Sequence, residues 1–267
     1  MYINKILSGK EYVVSTCRKL NFPSPIIKNE IDSTSTYLRS LAEKGAPHGT
    51  VVIAKRQSAG RGRTGKSFLS PDGGLYMSIL LRCDFPPEIT DITTPTVAVA
   101  TAIAIKEAMN IDTSVKWVND LFFSGKKVCG ILTEVARDSE DGHIKYVVLG
   151  IGVNVFEPRR GFGELSHIAG SLLPFKTNTT LIYQLASLIT ENFFRLWNGE
   201  NIELIYDEYK KRLFILGNDI YVLRADEKIP AKVIDLEKDF SLTVEYRDAR
   251  QEKLTSGEIS IIPQVNS

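Results

Sequence analysis

The chain has 267 residues, of which 43% are hydrophobic and 24% charged; these are the proportions of a globular protein with one large domain and room for a small companion, and they exclude long disordered stretches. Lysine and arginine number 33 against 32 acidic residues, which excludes a global field that would pull the protein toward nucleic acid or an anionic membrane. Cys17, Cys83 and Cys129 are far apart, as are His48, His143 and His167, so neither a disulfide framework, a zinc site nor a histidine-driven triad is expected.

In chain order, Met1 to Phe22 mixes apolar and charged residues at roughly helical spacing before Pro23 and Pro25 interrupt it. The stretch lacks the apolar core of a signal peptide, and no eighteen apolar residues run together. A soluble cytoplasmic protein with no membrane partner is expected. Some twenty residues are also too few for a three-helix DNA-binding domain, so no specific DNA binding is expected. Ile26 to Ile31 reads as a strand, and Asp32-Ser33-Thr34-Ser35 as a capped helix start that Gly45 and Pro47 bring to an end.

Thr50 to Gln57 and Gly74 to Leu81 read as strands on either side of Ala59 to Phe68, A-G-R-G-R-T-G-K-S-F. Three glycines, two arginines, a lysine and two hydroxyls in ten positions cannot build a core. Glycine lets the backbone approach a ligand and turn its N–H groups toward an anion, and Arg61, Arg63 and Lys66 bring positive charge to the same place. Gly60 to Ser67 also matches the Walker A pattern, which requires a helix directly after it; Pro71, Gly73 and Gly74 argue against that helix. A solvated basic hairpin tip is the other reading of this stretch.

Thr96 to Met109 is small and apolar almost all round, as in a helix buried against a sheet. Val115-Lys116-Trp117-Val118-Asn119-Asp120 reads as a strand with a polar corner, followed by a hairpin that returns through Lys127 to Glu134. Asn119 and Asp120 suit either a turn or a site. Tyr146 to Val155 is an apolar strand carrying Gly150, Gly152 and Asn154; alternate glycines suggest that something lies against that face, and Asn154 needs partners. Two amphipathic helices, Thr179 to Trp197 and Ile202 to Leu213, lead to five short strands after Gly217, the pattern of a small β-barrel or rolled sheet. The expected division is 1–214 and 215–267.

Taken together, Ser33-Thr34, Gln57 to Phe68, Lys116 to Asp120 with Lys127 to Glu134, Gly150 to Asn154 and Ser256-Gly257-Glu258-Ile259-Ser260 resemble, in order, the motifs of biotin protein ligases. The resemblance implies an α/β catalytic domain of the class II synthetase and lipoate ligase kind, with a small C-terminal barrel. It implies an ATP-dependent enzyme that makes biotinyl-5'-AMP from biotin and MgATP and passes biotin to a lysine of the biotin carboxyl carrier domain of acetyl-CoA carboxylase or a related carboxylase. By that likeness Arg63 and Lys127 are the catalytic cations. Ser33, Thr34, Gln57, Gly60, Arg61, Lys127 and Gly130 serve biotin. Arg61, Gly62, Arg63, Phe68, Lys116, Asn119, Asp120 and Asn154 serve ATP and the adenylate, with Mg2+ near Asn119 and Asp120. Ser35, Val118 and Phe68 stand where the family usually has Asn, Pro and often Trp.

The chemistry fits those residue types. Joining a carboxylate to an α-phosphate brings two anions together, so the site must supply cations and oriented N–H donors, and a glycine-hinged flap over Lys127 and Asn119 would keep the anhydride dry. The alternatives are a lipoate or octanoate ligase and a non-catalytic nucleotide- or biotin-binding regulator. Monomer and homodimer are equally compatible with the sequence.

Overall fold

The computed structural model describes residues 2–7, 10–15, 23–82, 89–175, 178–198, 202–224, 227–255 and 260–263, with the backbone alone for 2–15, 89–90 and 260–263. The Ser256–Ile259 part of the last motif, together with Cys17 and Cys83, lies outside the described residues.

The first departure from the sequence reading is at the N-terminus. Instead of a helix, β1 (Tyr2–Leu7) and β2 (Lys10–Ser15) pair antiparallel, with Tyr2 opposite Ser15 and Leu7 opposite Lys10. Ile3, Ile6, Tyr12, Val13 and Val14 are β-branched or aromatic, and that preference outweighs an irregular helical spacing.

The next strands and helix follow the sequence closely. β3 (Ile26–Ile31) leads into α1 (Thr34–Glu43), and β4 (Val51–Gln57) returns parallel to β3. This β-α-β unit is how neighbouring parallel strands are joined. β5 (Leu75–Leu81) then pairs antiparallel with β4. Between them the flap makes a single 3-10 turn at Arg63–Gly65, and no α-helix follows Ser67, so the Walker A pattern is not a P-loop here.

α2 (Ile89–Met109) starts earlier than its sequence pattern and carries Pro95 inside. Proline normally marks a helix start, which is why the pattern is legible only after it. β6 (Ser114–Lys116), β7 (Asp120–Phe123), β8 (Lys126–Arg137) and β9 (Ile144–Val153) complete a seven-stranded sheet in the order β3-β4-β5-β9-β8-β7-β6.

Period-two alternation divides this sheet into two working faces. On one, Leu38 and Ala42 of α1 pack on Val52, Leu80, Tyr146 and Val148. On the other, Ile53, Met77, Leu149 and Ile151 meet the alanine-rich surface of α2 and the apolar stripe of α3 (Thr179–Asn198). Small side chains all round let α2 lie flat between sheet and α3.

After α4 (Ile202–Arg212), β10 (Asp219–Arg224), β11 (Glu227–Leu236), β12 (Leu242–Tyr246), β13 (Gln251–Leu254) and β14 (Ser260–Pro263) form an antiparallel sheet in the order β13-β12-β11-β10-β14. It docks onto the polar corner of the main sheet. Trp117 Nε1 donates to the Phe240 carbonyl at 2.8 Å, and Tyr209 of α4 donates to the Val118 carbonyl at 3.1 Å. The ring of Tyr209 meets Phe240 edge-on, centroids 5.5 Å apart.

Candidate active site

On the α1 face the helix covers only part of the sheet. The uncovered part is floored by glycine: Gly130 of β8 sits opposite Gly152 of β9, with Gly150 opposite Leu132 beside them. The Phe68 ring, at the end of the flap, lies on that floor. A Cβ on Gly152 would stand 2.6 Å from the ring and one on Gly130 3.0 Å, so a side chain at Gly152 would evict the ring. A Cβ on Gly150 would meet Ser35 Oγ at 2.7 Å. The alternate glycines seen in the sequence therefore do accept neighbours from above.

The flap is held down by its own chemistry. The Phe68 amide donates to the Gly60 carbonyl at 2.8 Å, and a Cβ on Gly60 would come within 2.3 Å of the Phe68 carbonyl oxygen; only glycine allows that approach. The Gly62 amide donates to the Lys66 carbonyl at 2.7 Å, closing the tip. Arg63 donates to Asn119 Oδ1 at 3.0 Å, while Asn119 Nδ2 donates to the Ile131 carbonyl at 2.9 Å. Asn119 is thus clamped to β8 and presents its oxygen to the flap. Arg61 pairs with Glu134 at 2.9 Å, and Arg39 of α1 shares the same carboxylate oxygen at 3.4 Å. Glu134 Oε2 is buried without a hydrogen-bond partner among the described residues.

Lys127 and Asp120 form the charged centre. Lys127 Nζ lies 2.7 Å from Asp120 Oδ1 and 6.0 Å from the Phe68 ring centroid. The ion pair is close but poorly aligned as a hydrogen bond, so the buried Asp120 oxygen retains directional capacity for a ligand. Lys116, at the end of β6, has its pKa lowered chiefly by burial; Asp120 opposes this, and Lys127 and Lys66 add to it. Three lysines thus feel one another around a single carboxylate, a strongly positive locality in a nearly neutral chain.

At the helix start, Ser33 caps α1 by accepting from the Thr36 amide at 3.5 Å. The hydroxyls form a chain of fixed polarity. Ser35 and Ser78 Oγ are 3.0 Å apart, Ser78 donates to Thr34 Oγ1 at 2.8 Å, and the Thr34 amide and hydroxyl both donate to Gln57 Oε1, at 2.8 and 3.2 Å. Gln57 Nε2 donates to Ser70 Oγ at 2.9 Å, and Ser70 to the Phe68 carbonyl at 2.9 Å. Ser35 is therefore tied to the same network as Thr34 and Gln57. Ser70, Ser78 and Glu134 were not among the expected site residues; for Ser78, a lone Ser in the apolar strand β5 gives no signal in sequence.

Asn154 is held from the segment that follows β9. Its side chain donates to the Gly170 carbonyl at 2.9 Å, and the Gly170 amide donates to the Lys127 carbonyl at 3.0 Å. It braces the segment that flanks Lys127. The structure thus gathers Gly60, Gly62, Arg63, Phe68, Asn119, Asp120, Lys127 and Gly130 around one floor, with Ser33, Thr34 and Gln57 at its α1 end and Arg61 tied to Glu134 on the same face of the sheet. Among the described residues no group of three His, Cys, Asp or Glu could hold a metal by itself. No helix among them is long and apolar enough to cross a membrane.

Residues 28–154 match the model of the biotin/lipoate A/B protein ligase family. The chain is 42% identical over 149 residues to the bifunctional ligase/repressor BirA of Bacillus subtilis, a match covering 55% of this chain and 45% of that one, so it spans about half the length of that relative. It is 31% identical over 208 residues to the biotin–[acetyl-CoA-carboxylase] ligase of Mycobacterium tuberculosis, covering 71% of each chain. The fold is similar to that of the Aquifex aeolicus biotin protein ligase solved with biotin and ATP, with TM-score 0.71, 26% identity and coverage of 91% of this chain and 100% of that one. The chain belongs to the biotin protein ligase family.

Proposed function

We propose that the protein activates biotin with MgATP as biotinyl-5'-AMP and transfers the biotinyl group to a lysine of a biotin carboxyl carrier domain, working in the cytoplasm, with residues 1–214 as the catalytic unit and 215–267 as its companion. In the first step a biotin carboxylate oxygen attacks the α-phosphorus of ATP, and pyrophosphate leaves. In the second the neutral amine of the acceptor lysine attacks the biotinyl carbonyl, AMP leaves with the bonding electron pair, and the amine sheds its proton. Both steps concentrate negative charge at one place, so the main task of the protein is electrostatic.

The observation that carries the reading is the meeting of Arg63 with Asn119 and of Lys127 with Asp120 beside a floor of glycines on which the Phe68 ring of the flap lies. Lys127 is placed to hold biotin's carboxylate against the α-phosphate, and Arg63 to neutralise the phosphate from above. Ser33, Thr34, Gln57 and Gly60 border the α1 end, where the ureido ring would lie. Phe68 supplies an apolar wall and keeps water off the anhydride.

Asp120, with Asn119 beside it, fits Mg2+ in the way that ion is usually bound, through one carboxylate and the substrate's own phosphates. When bound, the ion supplies charge neutralisation on the polyphosphate. A mass gain of one biotinyl group on the carrier lysine, in a mixture of purified protein, biotin, MgATP and carrier domain, tests the reading. Transfer of lipoate in place of biotin, or tight biotin binding without pyrophosphate release, would overturn it.

A further inference from the structure

A cavity of about 720 Å3 opens on the α2/α3 side of the main sheet, across the strands from the glycine floor. Its walls come from β4, from the segment joining the flap to β5, from the loop after β9, and from the first turns of α3. Arg63, Phe68, Asp120 and Lys127 take no part in its lining.

The lining combines two chemistries. Ile53, Phe156, Ile182 and Tyr183 form an apolar floor, and Leu69 and Phe175 at the mouth remain 45% and 50% exposed. Around them stand the cations Lys55, Arg56, Arg159 and Arg160, against the carboxylates Asp72 and Glu157. Arg56 is engaged by Glu30 at 2.8 Å and by Asp72 at 3.6 Å. Lys55, Arg159 and Arg160 make no ion pair among the described residues, and Arg159 stands over the Phe175 ring at 5.6 Å.

The N-terminus of α3 adds to this field. Asn178 and Thr179 line the cavity, and Asn178 caps the helix by accepting from the Leu181 amide at 3.2 Å. The positive end of a 20-residue helix therefore opens on the same hollow.

An inorganic anion would answer the charges and leave the apolar floor wet. A neutral apolar molecule would cover the floor and leave Lys55, Arg159 and Arg160 with only Glu157 as an uncommitted opposite charge. Only a molecule with both halves satisfies the lining, and the volume is that of a small-molecule cavity. We propose that this cavity is a second binding site, for a small amphipathic anion: a carboxylate or phosphate monoester carried on an apolar body. The inference does not depend on the adenylation reading.

Calorimetric titration of the full chain with decanoate below its micelle concentration tests it, with decan-1-ol and inorganic phosphate as probes that each lack one half. The expected result is one saturable site for decanoate, about tenfold tighter than for either half-probe. Affinity should fall about tenfold or more in the Arg159→Ala/Arg160→Ala double variant, since charge-assisted contacts would be lost. Both arginines are exposed, so the melting temperature of the free double variant should match that of the parent. Lys127→Ala should bind decanoate as the parent does. No saturable binding, equal affinity for all three probes, or binding lost in Lys127→Ala but kept in the arginine variant would overturn the proposal. So would tighter binding of an Asp/Glu-rich decapeptide than of decanoate, which would assign the face to a protein partner.

Discussion

The indole nitrogen of Trp117 donates to the main-chain oxygen of Phe240 across 123 positions of sequence, at 2.8 Å and in a buried setting. Through this bond the C-terminal sheet holds the corner that presents Asn119 and Asp120. Trp117→Phe keeps most of the apolar volume and leaves a buried carbonyl without its donor, so it should cost about 1–3 kcal/mol. Chemical denaturation checks the stability, and a fall in adenylate formation greater than in a surface variant of equal stability checks the link to the corner.

Arg63→Ala removes the cation that bridges flap and Asn119, and Arg63 is on a surface loop with no core role. Adenylate formation should drop by about 10²–10³, the scale of one lost donor to a charged transition state, and the adenylate that does form should leak into solution. The melting temperature should stay close to that of the parent. Pyrophosphate exchange and chromatography of free biotinyl-AMP are the measurements; normal turnover would remove Arg63 from the chemistry.

Lys127→Ala should weaken biotin binding and slow adenylation together, because the same ammonium group serves ground state and reaction. Asp120→Asn separates the ion pair from the cation: it keeps Lys127 in place and removes the carboxylate. Its adenylation should respond to Mg2+ concentration much more weakly than the parent's, read as the shift in the Mg2+ midpoint of pyrophosphate exchange.

Gly152→Ala places a methyl group 2.6 Å from the Phe68 ring. The flap must lift, and affinity for the adenylate should fall by roughly tenfold, with an energy of about 1.4 kcal/mol. Phe68→Ala removes the clash, so the double variant should lose less than the sum of the singles. A double-mutant cycle on adenylate affinity reads the coupling, and strict additivity would mean that the ring and the glycine do not meet.

His48 accepts from the Arg82 amide through Nδ1 at 3.0 Å and lies edge-on to Phe194. Burial is the main cause of a lowered pKa for this imidazole. With the folded value below the unfolded one, the histidine is neutral in both states at high pH. As pH falls through the unfolded value of about 6.5, only the unfolded chain gains the proton. Stability should therefore fall from about pH 6.5 downward until the folded value is passed. Melting temperatures against pH should show this slope in the parent and a shallower one in His48→Gln.

Most of the fold was legible because most elements follow one clear period. β4, β5 and β9 have apolar runs beside glycine, β3 follows Pro25 with isoleucine at both ends, and α3 has a clean apolar stripe. The N-terminal hairpin was missed because six-residue strands with mixed charge mimic helical spacing, and the start of α2 because Pro95 conceals it. Within the site, glycine and charge were readable, since each has few structural reasons to recur at such spacing. The partners of those residues were not. Nothing local in the sequence says that Arg61 reaches Glu134, or that Asn154 spends its amide on Gly170, because those contacts are set by how strands and loops are stacked in space.

The one-way run of hydroxyls from Ser78 through Thr34 to Gln57 also decides what kind of atom may approach. The Thr34 main-chain N–H can only give a hydrogen, so it identifies Oε1 and fixes the amide's orientation; both lone pairs of that oxygen are then taken, and one hydrogen of Nε2 goes to Ser70. What Gln57 still offers is a single outward hydrogen. A visiting acceptor such as a carbonyl is met there and a visiting N–H finds no acceptor, so selectivity between otherwise similar heterocycles is written into the direction in which neighbouring protons point.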